Sequence, residues 1–182
     1  AGFEFRPSQL KLAELVQKAL RDKSKAVIEA GTGTGKTMGY LVPIVLSEKK
    51  TVISTGTKNL QDQLYNKDIP FLAEHIGRPL RVCYMKGRAN YLCRQKVYDL
   101  ESRPFLHGLE EVEAFAEIRS WEATTESGDR SELATLPENS PLWAKVDARR
   151  VACTGEKCAQ FDRCFITAMR RRAMESDIII VN

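Results

Sequence analysis

The chain has 182 residues, of which 43% are hydrophobic and 29% charged, and a formal net charge of +4. These values describe an ordinary globular protein of one domain, or of one domain carrying an insertion. No apolar run approaches the ~18 residues that span a bilayer, and the opening Ala-Gly-Phe-Glu-Phe-Arg lacks the regions of a secretory leader. A cytoplasmic location is the default expectation from these two features, and because the first residue is not Met the chain reads as a trimmed piece or a fragment.

Pro7 to Leu20 predicts an amphipathic helix, with Leu12, Leu15, Val16, Ala19 and Leu20 on one face. Pro7 suits its first turn and Ser8 is a candidate cap. A strand is expected at 26–30, around Ala26-Val27-Ile28. Glu29-Ala30-Gly31-Thr32-Gly33-Thr34-Gly35-Lys36-Thr37 follows, and a helix is expected over Lys36–Ser47, kinked or cut short by Pro43.

Strand, glycine-rich loop and helix form the setting of a phosphate-binding loop. Glycines let successive backbone N–H groups turn inward around phosphate oxygens, and the helix N-terminus adds its positive dipole end. Ala30 through Thr37 are therefore assigned to ATP binding, with Ala30 at the position where the common pattern has Gly. Lys36 would reach the β- and γ-phosphates and the Thr37 hydroxyl would ligate Mg²⁺, which makes these two the candidate catalytic residues.

Thr51–Ser54 predicts a second strand, Thr57 the cap of a helix through Leu60 and Leu64, and a short helix precedes Gly77. A third strand is expected at Leu80–Tyr84. Strands alternating with helices imply an α/β fold on a parallel sheet. From Met85 the pattern becomes helical or irregular, with loop signals at Ser127-Gly128-Asp129 and Pro137–Pro141, until the β-branched run Asp177–Val181 returns to strand. The expected organisation is motor residues 1–84, an insertion over 85–176 and a returning strand at 177–182. Such an insertion, built of charged helices, would have little core of its own.

Charge is uneven. Residues 78–103 carry 7 basic and 2 acidic side chains (+5), residues 104–147 carry 3 and 10 (−7), and residues 148–182 carry 7 and 4 (+3). The basic segments suit a polyanion partner, although solvated helix faces would read the same way.

Of the five cysteines, Cys153, Cys158 and Cys164 form C-x4-C-x5-C and Cys93 lies 60 residues upstream. An odd count without a leader argues against a disulfide framework. Four thiolates from Cys93, Cys153, Cys158 and Cys164 would hold a [4Fe–4S] cluster or Zn²⁺; one isolated Cys with a spread trio leans toward iron–sulfur, and zinc stays open. Cys83 falls on a predicted strand and reads as core. A cluster joining Cys93 to the trio would staple the insertion.

Together these motifs resemble the iron–sulfur DNA helicases of superfamily 2, the group of DinG and XPD, and within it the bacterial YoaA/DinG branch. Arg6-Pro7-Ser8-Gln9 is similar to the adenine-reading Q motif, with Gln9 as base reader, and Glu29–Thr37 to motif I. Ser54 to Leu64 is similar to motif Ia, which contacts single-stranded DNA; Thr55, Thr57 and Lys58 carry that chemistry. Lys86-Gly87-Arg88-Ala89-Asn90-Tyr91-Leu92-Cys93 resembles the entry to the cluster domain, where Lys86, Arg88, Arg94 and Lys96 with Tyr91 would touch the strand by charge and stacking.

The resemblance implies part of a RecA-like P-loop motor domain with an inserted, mainly helical iron–sulfur domain, and ATP-driven 5′ to 3′ movement along single-stranded DNA. No Asp-Glu pair occurs in the chain, so the family's acidic box, like its second motor domain, is expected downstream of Asn182. These residues alone are then expected to turn over ATP negligibly. A different P-loop ATPase with a zinc-stapled insertion, or a non-catalytic nucleic-acid-binding module with a zinc or iron–sulfur site, remains as the alternative.

Overall fold

A computed structural model of the chain describes residues 5–137 and 139–182, so residues 1–4 of the expected motor segment and Glu138 of the expected loop lie outside it. The described residues form two compact units, residues 5–84 with 175–182, and residues 85–174.

In the first unit, α1 (Pro7–Asp22) starts with Pro at its first turn and ends at Lys23, which takes a left-handed conformation. α2 (Lys36–Leu46) follows the glycine loop. Pro43 does not end it early: the helix continues to Leu46, and the Ser47 N–H closes it on the Pro43 carbonyl at 3.0 Å. Pro43 is buried, so its apolar ring packs where its missing N–H costs one bond. β1 (Thr51–Ser54) leads to Thr57, whose hydroxyl accepts the Leu60 N–H at 3.2 Å and caps α3 (Lys58–Gln63). A π-helical turn over Leu64–Asp68 joins α3 to α4 (Ile69–Ile76), which ends on Gly77 at φ 67°. β2 spans Val82–Met85, and β3, Ile178–Val181, comes from the other end of the chain.

The three strands form one sheet in the order β1–β3–β2, with Thr51 opposite Ile178 and Ser54 opposite Val181 in the parallel β1–β3 pair. β3 is central, which explains its unbroken β-branched sequence: Ile178 and Ile180 are buried, with Leu41, Val45, Leu64 and Leu72 in the same core. Gln61 is wholly buried, and its amide donates to the Ile180 carbonyl at 3.1 Å, which ties α3 to the central strand.

The strand expected at 26–30 does not form, and Val27 is fully exposed. Three apolar residues between Lys25 and Glu29 cannot bury themselves without a ladder partner, and none reaches them among the described residues.

The second unit contains α5 (Arg94–Ser102), α6 (Gly108–Thr124), α7 (Pro141–Val146) and α8 (Phe165–Glu175), the last residue of which belongs to the first unit. Among the described residues its extended pairing consists of two isolated bridges, Tyr91 with Asp129 and Leu92 with Asp147. Contrary to the expectation from its charge, this unit has a core of its own: Leu92, Val97, Ile118, Leu142, Trp143 and Val146 are each at most 2% exposed within one cluster. The apolar residues are spread too irregularly along the sequence for the pattern to announce a core. Their partners come from α5, α6, α7 and the intervening loops together.

Gly128, at φ 64°, sits in that core against Phe165, and a Cβ there would overlap the aromatic ring. Gly108, at φ 77°, has open space around it. Gly128→Ala is therefore expected to cost at least about 2 kcal/mol, against about 1 kcal/mol for Gly108→Ala. Both tryptophans, Trp121 and Trp143, lie in this unit, so urea denaturation followed by tryptophan fluorescence measures the difference. Equal midpoints would show that the ring has room to yield.

Candidate functional site

The glycine-rich loop lies in the first unit. Gly33 and Gly35 have φ of 77° and 75°, the left-handed region in which a side chain is strained, and they turn the chain into the start of α2. The Gly35 carbonyl accepts the Gly39 N–H at 3.1 Å, the first bond of the helix. Lys36 folds back over the loop, its ammonium donating to the carbonyls of Ala30 at 2.8 Å and Gly31 at 2.6 Å. The Thr34 hydroxyl donates to Gly31 as well, at 2.9 Å. Thr37 hydrogen-bonds Tyr40, whose hydroxyl burial pushes toward higher pKa.

Two residues upstream hold this loop. Gln9 on α1 donates its amide to the Gly35 carbonyl at 3.0 Å, and Arg6 donates to the Gly33 carbonyl at 2.7 Å. A Cβ on Gly35 would overlap the Gln9 amide, so the glycine also permits that approach. The residue expected to read a base thus bonds the loop itself. Arg6 is a loop contact that sequence reasoning passed over within the same motif.

Beyond β1, Thr55 is 8% exposed and its hydroxyl faces inward, 3.2 Å from the carbonyls of Thr57 and Val181. Thr57 caps α3, and Lys58 is exposed at the helix start. These three stand together at one end of the sheet, with the Asn182 amide bonded to the Thr55 carbonyl at 3.1 Å.

In the second unit, Cys93, Cys153, Cys158 and Cys164 line one cavity of about 150 Å³. Cys93 immediately precedes α5 and Cys164 immediately precedes α8. Both thiols therefore lie where a helix dipole favours an anion. The Cys93 backbone is pinned by its N–H on the Val146 carbonyl at 2.8 Å, and Ala148 returns a bond to the Tyr91 carbonyl at 2.8 Å. The thiols differ in setting. Burial pushes the Cys93 thiol up, whereas a hydrogen bond from Arg88, 3.4 Å from the Cys153 sulfur, holds that thiol below the ordinary range. Among the described residues no three His, Cys, Asp or Glu side chains stand close enough to hold a single metal ion.

The basic residues of 86–96 are engaged within the unit. The Lys86 side chain is 6% exposed and pairs with Asp129 at 2.8 Å, and the Lys86 backbone N–H donates to the Tyr91 hydroxyl at 3.0 Å. Tyr91 itself is 2% exposed, which leaves no ring face for stacking on a base. Arg88 donates to the Ala148 carbonyl at 2.7 Å, Arg94 pairs with buried Glu122, and Lys96 stands 3.7 Å from Asp147. The strand contacts assigned to Lys86, Arg88 and Tyr91, and to Arg94 and Lys96, are thus met by internal partners. The acidic segment that neutralises them was visible in the sequence, but the pairing was not. Exposed charge lies instead on Arg149, Arg150, Lys157, Arg163, Arg170 and Arg171, and of these Arg149 and Arg170 also border the cysteine cavity.

No helix among the described residues is long and apolar enough to cross a membrane. Residues 7–103 match the family described as DEAD/DEAH box helicase. The chain is 39% identical over 181 residues to the ATP-dependent DNA helicase YoaA of Haemophilus influenzae, covering 100% of this chain and 28% of that protein. It is 38% identical over 184 residues to the ATP-dependent DNA helicase YoaA of Escherichia coli K12, with 100% and 28% covered. To the ATP-dependent helicase DinG of Mycobacterium tuberculosis it is 30% identical over 200 residues, with 97% and 30% covered. The chain thus spans under a third of the length of these curated relatives.

The hydrogen bonds of Gln9 to the loop lead to one expectation. Gln9→Ala should speed amide hydrogen exchange across residues 31–35, while Lys11→Ala, at an exposed position of the same helix, should leave it unchanged. Equal exchange in both variants would mean that the loop holds its shape without α1.

Proposed function

The chain belongs to the DEAD/DEAH box helicase family, and from that premise we propose that it is part of an ATP-dependent DNA helicase. It would contribute the phosphate half of the ATP site together with a [4Fe–4S] domain that guides single-stranded DNA. Residues 1–84 and 177–182 would then be the first part of a RecA-like motor domain, and 85–176 the inserted cluster domain. The acidic box and second motor domain would come from elsewhere in the parent protein, which acts in the cytoplasm on DNA undergoing repair.

Ala30–Thr37 have the chemistry to hold ATP. Lys36 donates to two loop carbonyls, and phosphate oxygens would replace these as its acceptors. Thr37, at the helix start, would offer its hydroxyl to Mg²⁺. ATP bound there supplies the free energy of hydrolysis for movement. Gln9 and Arg6 would set the loop's shape, and Gln9 would also face the base.

The observation that carries the cluster reading is the convergence of Cys93, Cys153, Cys158 and Cys164 on one cavity from positions up to 71 apart (164 − 93). A single Zn²⁺ would have to draw four sulfurs to about 2.3 Å from one point. A cluster offers a separate iron to each thiolate and so takes ligands spaced around a larger body. The group supplies a rigid cross-link between the start and end of the unit. Its domain would still keep a folded core without it, because that core is already apolar and continuous.

For the DNA strand, Lys58 at the exposed start of α3 would provide a backbone contact on the first unit, with Thr55 and Thr57 shaping that turn through their internal hydrogen bonds. On the second unit the exposed arginines at 149, 150, 163, 170 and 171 would replace the internally paired 86–96 set, and the expected polarity is 5′ to 3′.

The visible spectrum of the anaerobically purified parent protein tests the cluster reading. A broad band near ~400 nm with about four irons per chain is expected, and a colourless protein with one zinc would overturn it. For the strand contacts, Arg170→Gln with Arg171→Gln in the parent should weaken oligonucleotide binding and lower its salt slope by about 1 to 2. Lys86→Gln should leave the slope unchanged. The opposite ranking would return the DNA path to residues 86–96. Lys36→Ala is expected to abolish DNA-stimulated ATPase of the parent, and turnover surviving at more than about a hundredth of the wild-type rate would count against the loop assignment.

A further inference from the structure

The residues that follow the first and last cysteines touch each other. Arg94, directly after Cys93, opens α5; Phe165, directly after Cys164, opens α8. The Arg94 guanidinium carbon lies 4.3 Å from the centroid of the Phe165 ring. Phe165 is 4% exposed, and the backbone of Gly128 is packed against its ring. The Leu92 N–H in turn donates to the Gly128 carbonyl at 2.9 Å, on the other side of Cys93.

Glu122, from α6, secures the arginine. Its side chain is 3% exposed and pairs with Arg94, whose own side chain is 10% exposed. The same carboxylate accepts from Arg119 at 2.7 Å and from the Tyr98 hydroxyl at 3.1 Å. Arg119 extends the network to Glu101 at 3.0 Å. Apolar residues of similar volume generally fill such a space with equal or greater stability, so burying this group of charges calls for a role beyond filling the core. Planar guanidinium geometry provides one. It fixes direction through its hydrogen bonds and spacing through its stack on the ring, which an aliphatic side chain does not.

We propose that Arg94, oriented by Glu122 and stacked on Phe165, is a positioning residue that sets the separation of the Cys93 and Cys164 sulfurs and so governs how firmly the cluster is held. The proposal rests on the cluster reading above. Rotation or sliding of α5 against α8 would carry the two thiols apart, and the stack joins those helices at the turns that bear them. Partners of this kind around metal ligands commonly change retention by about 10- to 100-fold when removed.

The test uses the full-length parent protein and three variants. Phe165→Leu keeps the ion pairs and removes the stack. Arg94→Lys keeps the charge and removes the planar fork. The double variant Arg94→Met/Glu122→Leu exchanges the buried pair for apolar volume. Iron per chain and the rate of bleaching of the ~400 nm band in EDTA and air are measured alongside the urea midpoint from tryptophan fluorescence. Roughly tenfold faster bleaching is expected in all three, with a midpoint at or above wild type in the double variant. Wild-type bleaching in the double variant, rescue by Arg94→Lys, or bleaching that merely follows the urea midpoint would overturn the proposal. A colourless wild type would refute the cluster reading instead. In that case cross-linking of Cys93 to Cys164 by a bifunctional thiol reagent, located by peptide mass, decides the positioning role: it should slow in Phe165→Leu, and an unchanged rate would end the proposal.

Discussion

The central place of Ile178–Val181 in the sheet is the constraint on which the rest of the chain depends. β3 lies between β1 and β2, and the carbonyl of Arg81 accepts the N–H groups of Asp177 at 2.8 Å and Ile178 at 3.2 Å. The Arg81 guanidinium also clasps the Asp177 carboxylate at 2.8 Å and holds it below the ordinary carboxylate range. Residues that leave after β2 must therefore come back beside it. The intervening chain is a closed loop with fixed ends, and closing so long a loop costs entropy that local contacts must offset. A self-contained second unit with its own apolar core is the physical answer to that requirement.

That unit is organised by the neutralisation of buried charge. The segment of net +5 and the segment of net −7 are partners: Lys86 meets Asp129, Arg94 meets Glu122, and Lys96 approaches Asp147. Each pair joins residues distant in sequence, and each lies within a few positions of a cysteine or of a strand-like bridge that places one. Charge that looked like a nucleic-acid patch is thus part of the scaffold around the cysteine cavity. The basic surface left for a polyanion lies in the last third of the chain, where the arginines outnumber their acidic neighbours.

The glycine-rich loop follows a related logic on a smaller scale. Its carbonyls, turned outward by glycines in the left-handed region, are satisfied by Lys36, Arg6 and Gln9. The loop's shape is held by bonds from within the chain, and its lysine lies against the carbonyls of Ala30 and Gly31. Such a hold limits the reorganisation that the proposed ATP binding would require.

Much of the first unit was legible in the sequence. α1, β1, the Thr57 cap and the final strand follow from local signals: a 3.6-residue apolar period, β-branched runs, a capping hydroxyl, glycine at turns. The loop from Ala30 to Thr37 and the cysteine spacing are also local, and residue type with spacing sufficed to mark them as candidates. What the sequence could not carry depended on partners far along the chain. The expected strand at 26–30 failed for want of a neighbour, and an insertion expected to lack a core has one assembled from scattered positions. Lys86 and Arg88 turned inward because an acid 43 residues away (Asp129) and a carbonyl 60 residues away (Ala148) received them, and Tyr91 is buried with its hydroxyl on the Lys86 N–H. The sequence by itself determined which groups carry chemistry, since that resides in side-chain type and local turn geometry. Only the tertiary structure decided which of those charges face water and which face each other, because burial and pairing are properties of surfaces that exist once distant segments meet.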